Sequence, residues 1–174
     1  MAARDGKKKG YKRSGARQKR AEAAAETVQL LKDDAELRQA RERTSQHAPD
    51  PQLDALLEPL RGQHQTEYEL WPGVPTLAAA LRLTAESEAA NATAALVFAS
   101  AKNPGGGYLG GSLAQEESLA VASGLALCQE GQAMYAANRK NNRRAVYNDF
   151  GLYSPEVRRR RRLGAAVCVC AAAA

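Results

Sequence analysis

Asn103-Pro104-Gly105-Gly106-Gly107-Tyr108-Leu109-Gly110-Gly111-Ser112-Leu113-Ala114-Gln115-Glu116-Glu117 is the stretch from which the rest of this 174-residue chain can be read. Just before it, Ala95-Leu96-Val97-Phe98-Ala99 is a short apolar run with β-branched and aromatic members, the pattern of a buried strand. Just after the glycines, Ser112-Leu113-Ala114-Gln115 fits a capping box, with Ser112 as N-cap and Gln115 at N3. The helix it opens is expected to run through Glu116, Glu117, Leu119, Val121, Ala122 and Leu125. The predicted order is strand, glycine-rich loop, helix, with two adjacent carboxylates in the opening turns.

Glycines at 105–107, 110 and 111 permit positive φ and close approach to bare backbone amides. Successive amides leading into a helix N-terminus suit a phosphate. Turns of this kind are also common in α/β proteins that bind nothing there, so spacing alone assigns no ligand. Acidic residues are equally ordinary at helix starts. It is the Glu116-Glu117 pair set behind such a loop that points to chemistry. Neighbouring helical positions point about 100° apart. The pair therefore cannot face each other across one bound group. Gln115 needs no role beyond capping.

Phe98-Ala99-Ser100-Ala101-Lys102-Asn103-Pro104-Gly105-Gly106-Gly107 followed by Gln115-Glu116-Glu117 resembles the microbial-type poly(ADP-ribose) glycohydrolases. Their signature is a triple glycine, a seven-residue spacer and Gln-Glu-Glu, here filled by residues 108–114. Weaker likeness extends from the first helix, near residue 17, to Tyr153-Ser154-Pro155-Glu156-Val157. The resemblance implies a macrodomain-like three-layer α/β/α sandwich with a mixed sheet, preceded by an N-terminal helical segment. It implies hydrolysis of ribose–ribose O-glycosidic bonds in poly(ADP-ribose), releasing ADP-ribose, with the polymer or ADP-ribosylated proteins as substrate and no cofactor or metal. By position, Glu117 would be the general acid and then base, and Glu116 would hold the ribose hydroxyls with Gln115 supporting it. Asn103 would contact the terminal ribose, and Gly105, Gly106 and Gly107 would line the diphosphate. Val97 departs from the Asn that the family commonly carries before the Phe.

The likeness stops after Val157. The family continues there with strands and helices that carry a second phosphate loop and an adenine-stacking aromatic. This chain continues instead with Arg158–Arg162, Leu163-Gly164-Ala165-Ala166, Val167-Cys168-Val169-Cys170 and four alanines. The reading is an arm at 1–16, a glycohydrolase-like fold at 17–157 that is incomplete at its C-terminus, and a biased tail at 158–174 outside the fold. The alternative function is a truncated, weak or inactive ADP-ribose-binding fragment.

Charge is concentrated at the ends. Residues 4–20 and 158–162 hold 14 of the 25 Lys and Arg, so residues 21–157 carry 11 basic residues against 18 acidic ones. The overall charge of +6 thus hides an acidic globular part, which excludes a domain-wide nucleic-acid surface. The basic ends alone are a possible contact for nucleic acid or for the anionic polymer. Lys7-Lys8-Lys9 with Lys12, Arg13, Arg17, Lys19 and Arg20 is a weak nuclear signal, and a solvated tail running into a basic first helical turn explains it more simply. Cys128, Cys168 and Cys170 have no disulfide or zinc spacing, and His47 and His64 sit in polar contexts. No secretory signal or membrane span is readable, so a monomeric cytoplasmic or nuclear protein is expected.

Along the chain, a helix is expected from Arg17 to Gln46, broken by His47-Ala48-Pro49-Asp50-Pro51. A short helix could start at Asp54, a strand at Thr66–Leu70 and a helix at Thr76–Glu88. Further segments are a helix from Gln129 to Asn138 and short strands at Ala145–Tyr147 and Gly151–Tyr153. Helices alternating with strands argue for an α/β fold.

Overall fold

The structure, a computed structural model, describes residues 15–48, 50–52, 55, 57–63, 65–86, 93–140, 150–157 and 167–173. Of the expected arm at 1–16, residues 1–14 lie outside these while Gly15 and Ala16 open the first helix, and the helix start at Asp54 and the strand at Ala145–Tyr147 also lie outside. The elements in order are α1 (Gly15–Leu31), α2 (Ala35–Arg43), β1 (Ser45–His47), α3 (Thr76–Glu86), β2 (Ala94–Ala99), α4 (Gln115–Ala122), α5 (Leu125–Gln129), α6 (Ala133–Lys140), β3 (Gly151–Val157) and β4 (Val167–Ala173). Single 3-10 turns lie at Glu58–Leu60 and Tyr108–Gly110.

The one helix expected over 17–46 is two. Asp34 accepts the Leu37 N–H at 2.8 Å and so restarts the chain as α2. An aspartate that can bond backbone outside a helix favours such a cap over helix continuation, by about 1 kcal/mol. Likewise the helix expected to reach Leu125 stops at Ala122. Ser123 Oγ donates to the Leu119 carbonyl and accepts from the Leu125 amide. Thr66–Leu70 is not a strand, and Tyr68 and Leu70 stand about nine-tenths exposed (91% and 90%). Their alternation has no sheet face to meet.

The sheet order is β1-β3-β4-β2. β1 and β4 run antiparallel to β3, while β2 runs parallel to β4. A mixed sheet is therefore observed, as expected. The register of β3 on β4 slips between Ser154 and Val157, where Pro155 has no N–H to give the ladder. The tail set outside the fold is corrected here: Val167–Ala173 is a central strand, between β3 and β2. Its Val-Cys-Val-Cys start has the β-branched alternation of a strand, which biased composition obscured.

One core runs under the sheet. Val97, Leu37, Leu125, Met134, Tyr135 and Leu152 are fully buried in it, and α3 adds Ala80. α1 packs on α4 through Ala24, Thr27 and Ala120, with Thr27 Oγ1 donating to the Val121 carbonyl at 2.6 Å. The side chains of β2 alternate. Ala95 and Val97 face the core, whereas Leu96 and Phe98 are 53% and 69% exposed. Among the described residues that second face has no covering layer.

Candidate active site

The strand–loop–helix order is observed, but the helix starts two residues later than the capping box predicts. Ala114 is the N-cap, with no side-chain capping bond, and Gln115 is the first helical residue. Ser112 is held by the loop instead. Its amide donates to the Gly107 carbonyl at 3.2 Å, and its Oγ fills the space a side chain at 107 would need. Glu116 and Glu117 are thus N2 and N3, both inside the first turn.

Gln115 does not support Glu116. Its Oε1 accepts the Phe98 N–H at 2.8 Å, and its Nε2 donates to the Leu96 carbonyl at 3.0 Å and to Thr76 Oγ1 at 3.1 Å. Leu96 and Phe98 bond outward from β2, the sheet's edge among the described residues. The glutamine amide therefore takes the place of a neighbouring strand and ties α4 and α3 to that edge.

The two glutamates have opposite surroundings. Glu116 is 3% exposed; its Oε2 accepts the Ser100 N–H at 2.7 Å and its Oε1 is buried without a hydrogen-bond partner. Burial pushes its carboxyl up to about 7, opposed by the Ser100 hydrogen bond and by the nearby polar groups of Gln129 and Gly105, and helped by Glu117. Glu117 is half-buried, and its Oε1 accepts the Gly107 N–H at 2.9 Å. Both carboxylates converge on Gly106. A Cβ there would lie 2.5 Å from Glu117 Oε1 and 3.0 Å from Glu116 Oε2, and φ is +59°. Only glycine fits that position.

The loop glycines have a structural use within the chain. Gly105 N–H donates to Gln129 Oε1 at 2.8 Å, Gly106 N–H to the Asn103 carbonyl at 2.9 Å, and Gly107 N–H to Glu117. These three loop amides bond within the protein. What the glycines supply is room for two carboxylates beneath the turn. Asn103 is exposed beside them. Asn103, Gly105, Gly106, Gly107, Glu116 and Glu117 are thus brought to one place, and Gln115 is not.

Side chains that the sequence reading did not assign to the site hold the loop from outside. Asn138 Nδ2 donates to the Ala101 carbonyl at 3.2 Å and Arg139 Nη1 to the Lys102 carbonyl at 2.6 Å. From α1, Arg17 Nε donates to the Gly110 carbonyl and Arg20 Nε to the Gly111 carbonyl, each at 2.9 Å. Gly111, at φ +74°, has no room for a side chain against the Arg17 carbonyl. These partners lie far off in sequence and carry no motif of their own. Among the described residues, no group of three or more His, Cys, Asp or Glu is placed to hold a metal.

The sequence model of the family described as microbial-type PARG, catalytic domain, matches residues 14–162. PARG is poly(ADP-ribose) glycohydrolase. Among solved structures, the chain is similar to the Thermomonospora curvata enzyme bound to the inhibitor ADP-HPD. That match has 32% identity and a TM-score of 0.75, and covers 90% of this chain and 63% of the other. The Deinococcus radiodurans enzyme in complex with ADP-ribose matches at 37% identity and a TM-score of 0.64, covering 79% of this chain and 56% of the other. A comparison with curated proteins finds no match. The chain spans about 63% of the length of the first of these structures. With its mixed sheet and its triple glycine ahead of Gln115-Glu116-Glu117, the chain belongs to the microbial-type poly(ADP-ribose) glycohydrolase family and has its macrodomain-like fold.

Proposed function

We propose that the protein hydrolyses ribose–ribose O-glycosidic bonds in poly(ADP-ribose), with Glu117 as general acid and then base. The observation that carries this reading is the half-buried Glu117 carboxylate at the glycine loop, on the Gly107 amide and beside the sealed Glu116. An acid must reach the leaving oxygen, and of the two glutamates Glu117 is the more accessible. It would protonate that oxygen as the glycosidic bond breaks, then take a proton from the attacking water. The substrate diphosphate would stabilise the oxocarbenium ion. Glu116, pushed up to about 7, would bond the ribose hydroxyls from below the loop.

A second reading is favoured by the spent amides of Gly105, Gly106 and Gly107 and the sealed Oε1 of Glu116. In it the chain holds ADP-ribose weakly and turns polymer over slowly or not at all. Release of ADP-ribose from poly(ADP-ribose), measured for the chain and for Glu117→Gln, tests the assignment. Turnover in the parent that falls about 10²–10⁴-fold in the variant, with ADP-ribose affinity kept, supports the first reading. Binding without turnover in both supports the second. Equal turnover in both removes Glu117 from the chemistry.

A further inference from the structure

The buried space behind the glycine loop holds polar groups that the proposed chemistry does not use. Gln129, the last residue of α5, is fully buried. Its Oε1 holds the Gly105 amide at 2.8 Å, while its Nε2 has no hydrogen bond of good geometry. Glu116 Oε1 and the phenol of Tyr135 on α6 are buried nearby in the same condition. A buried amide N–H and a buried carboxylate oxygen left unpaired side by side are costly unless each serves the other or a common ligand.

We propose that Gln129 is a positioning residue that joins the two halves of the site: its Oε1 fixes the glycine loop through Gly105, and its Nε2 serves Glu116 Oε1. One side chain then sets both the seat of the loop over the acidic pair and the hydrogen bonding of the buried glutamate. The groups facing Glu116 are consistent with that division. Ser100 donates from the loop, the Gly105 amide and the Gln129 amide lie close by, Glu117 repels from α4 and the Tyr135 phenol lies on α6. Of the two side chains among them that can donate, Gln129 and Tyr135, Gln129 is the one that also holds the loop. The inference rests on the site reading above, but its first test does not need substrate.

That test is the titration of the Glu116 carboxyl by carbon-13 NMR in the ligand-free full chain, assigned by loss of its signal in Glu116→Gln. In Gln129→Met, which keeps the volume and removes both polar atoms, the midpoint is expected to rise by about one unit or more. ADP-ribose should bind that variant about tenfold more weakly at every pH. Gln129→Glu separates the two functions of the amide. Its carboxyl can still accept from Gly105, but it can donate toward Glu116 only when protonated. Affinity in that variant should approach the parent near pH 5 and fall as pH rises toward 8, against a flatter parent profile.

An unchanged Glu116 midpoint in a folded Gln129→Met overturns the proposal. If Gln129→Met does not fold, Gln129→Glu decides, and a parent-like pH profile there overturns it. If the parent itself fails to bind ADP-ribose, the functional reading falls while the titration still judges Gln129.

Discussion

Glu116 shows how much one residue's placement can fix. It sits at N2 of α4, where the helix field favours a carboxylate, yet burial dominates and its pKa rises to about 7. Folding therefore favours the protonated form, and the contribution to stability is present at low pH and lost as pH rises through the folded value. The window runs from the ordinary carboxyl value of 4.5 to about 7. Ionising the group in place costs on the order of 3 kcal/mol. Urea unfolding of the parent and of Glu116→Gln across pH 5–8 should show the parent losing stability relative to the variant as pH rises. A difference that does not change with pH would contradict the burial described here. Cys128 gives a second check at this scale. Burial raises its thiol to about 11, so iodoacetamide at pH 8 should leave it unlabelled until the chain unfolds.

At the scale of elements, Gln115 is the joint between α4 and the sheet. Gln115→Ala should unpair the Phe98 amide and the Leu96 carbonyl at the edge of β2, costing about 1–3 kcal/mol. Amide hydrogen exchange should report it, with Phe98 exchanging faster while Val97, bonded inward, changes less. Unchanged exchange at Phe98 would mean the edge is held without Gln115. This joint also marks where sequence reading succeeds and where it stops. β2, the glycine loop and a helix bearing Glu116 and Glu117 were legible because each rests on local pattern: an apolar β-branched run, clustered glycines, a carboxylate pair. The start of α4 was misplaced because Ser112 bonds within the loop, a competition decided by three-dimensional closure. Gln115 could not be assigned without knowing that β2 is an edge. Gln129, Asn138 and Arg139 reach the loop from 24 to 37 residues away, and Arg17 and Arg20 from more than 90. β4 is masked in the sequence because alanines and a neighbouring arginine run outweigh four residues of good strand pattern.

Across the whole molecule, the N-terminal helix is tied to the site, and this changes how its basic residues should be understood. Arg17 and Arg20 read in sequence as part of a solvated charge run, but their guanidiniums bond the carbonyls that end the signature loop. The run therefore divides. Residues 1–14 precede α1, whereas Arg17 and Arg20 lie in its first turns and brace the loop that carries Gly105–Gly107. Deleting 1–14 should leave ADP-ribose affinity unchanged at moderate salt. Replacing both Arg17 and Arg20 by Ala should weaken binding and lower stability by about 1–3 kcal/mol, the lower end applying because Arg17 is exposed. Charge attraction to a polyanionic ligand could mimic that loss, and lysine separates the two causes. Arg17→Lys with Arg20→Lys keeps both charges but not the planar guanidinium that meets a carbonyl from a fixed direction. A brace predicts that the lysine pair binds nearly as poorly as the alanine pair, with little dependence on salt. Simple attraction predicts lysine behaving like the parent and a loss that fades steeply as salt rises. Affinity measured at two salt concentrations for the parent, the deletion and both pairs decides between them. A parent-like lysine pair would return α1 to the role of a charged cover.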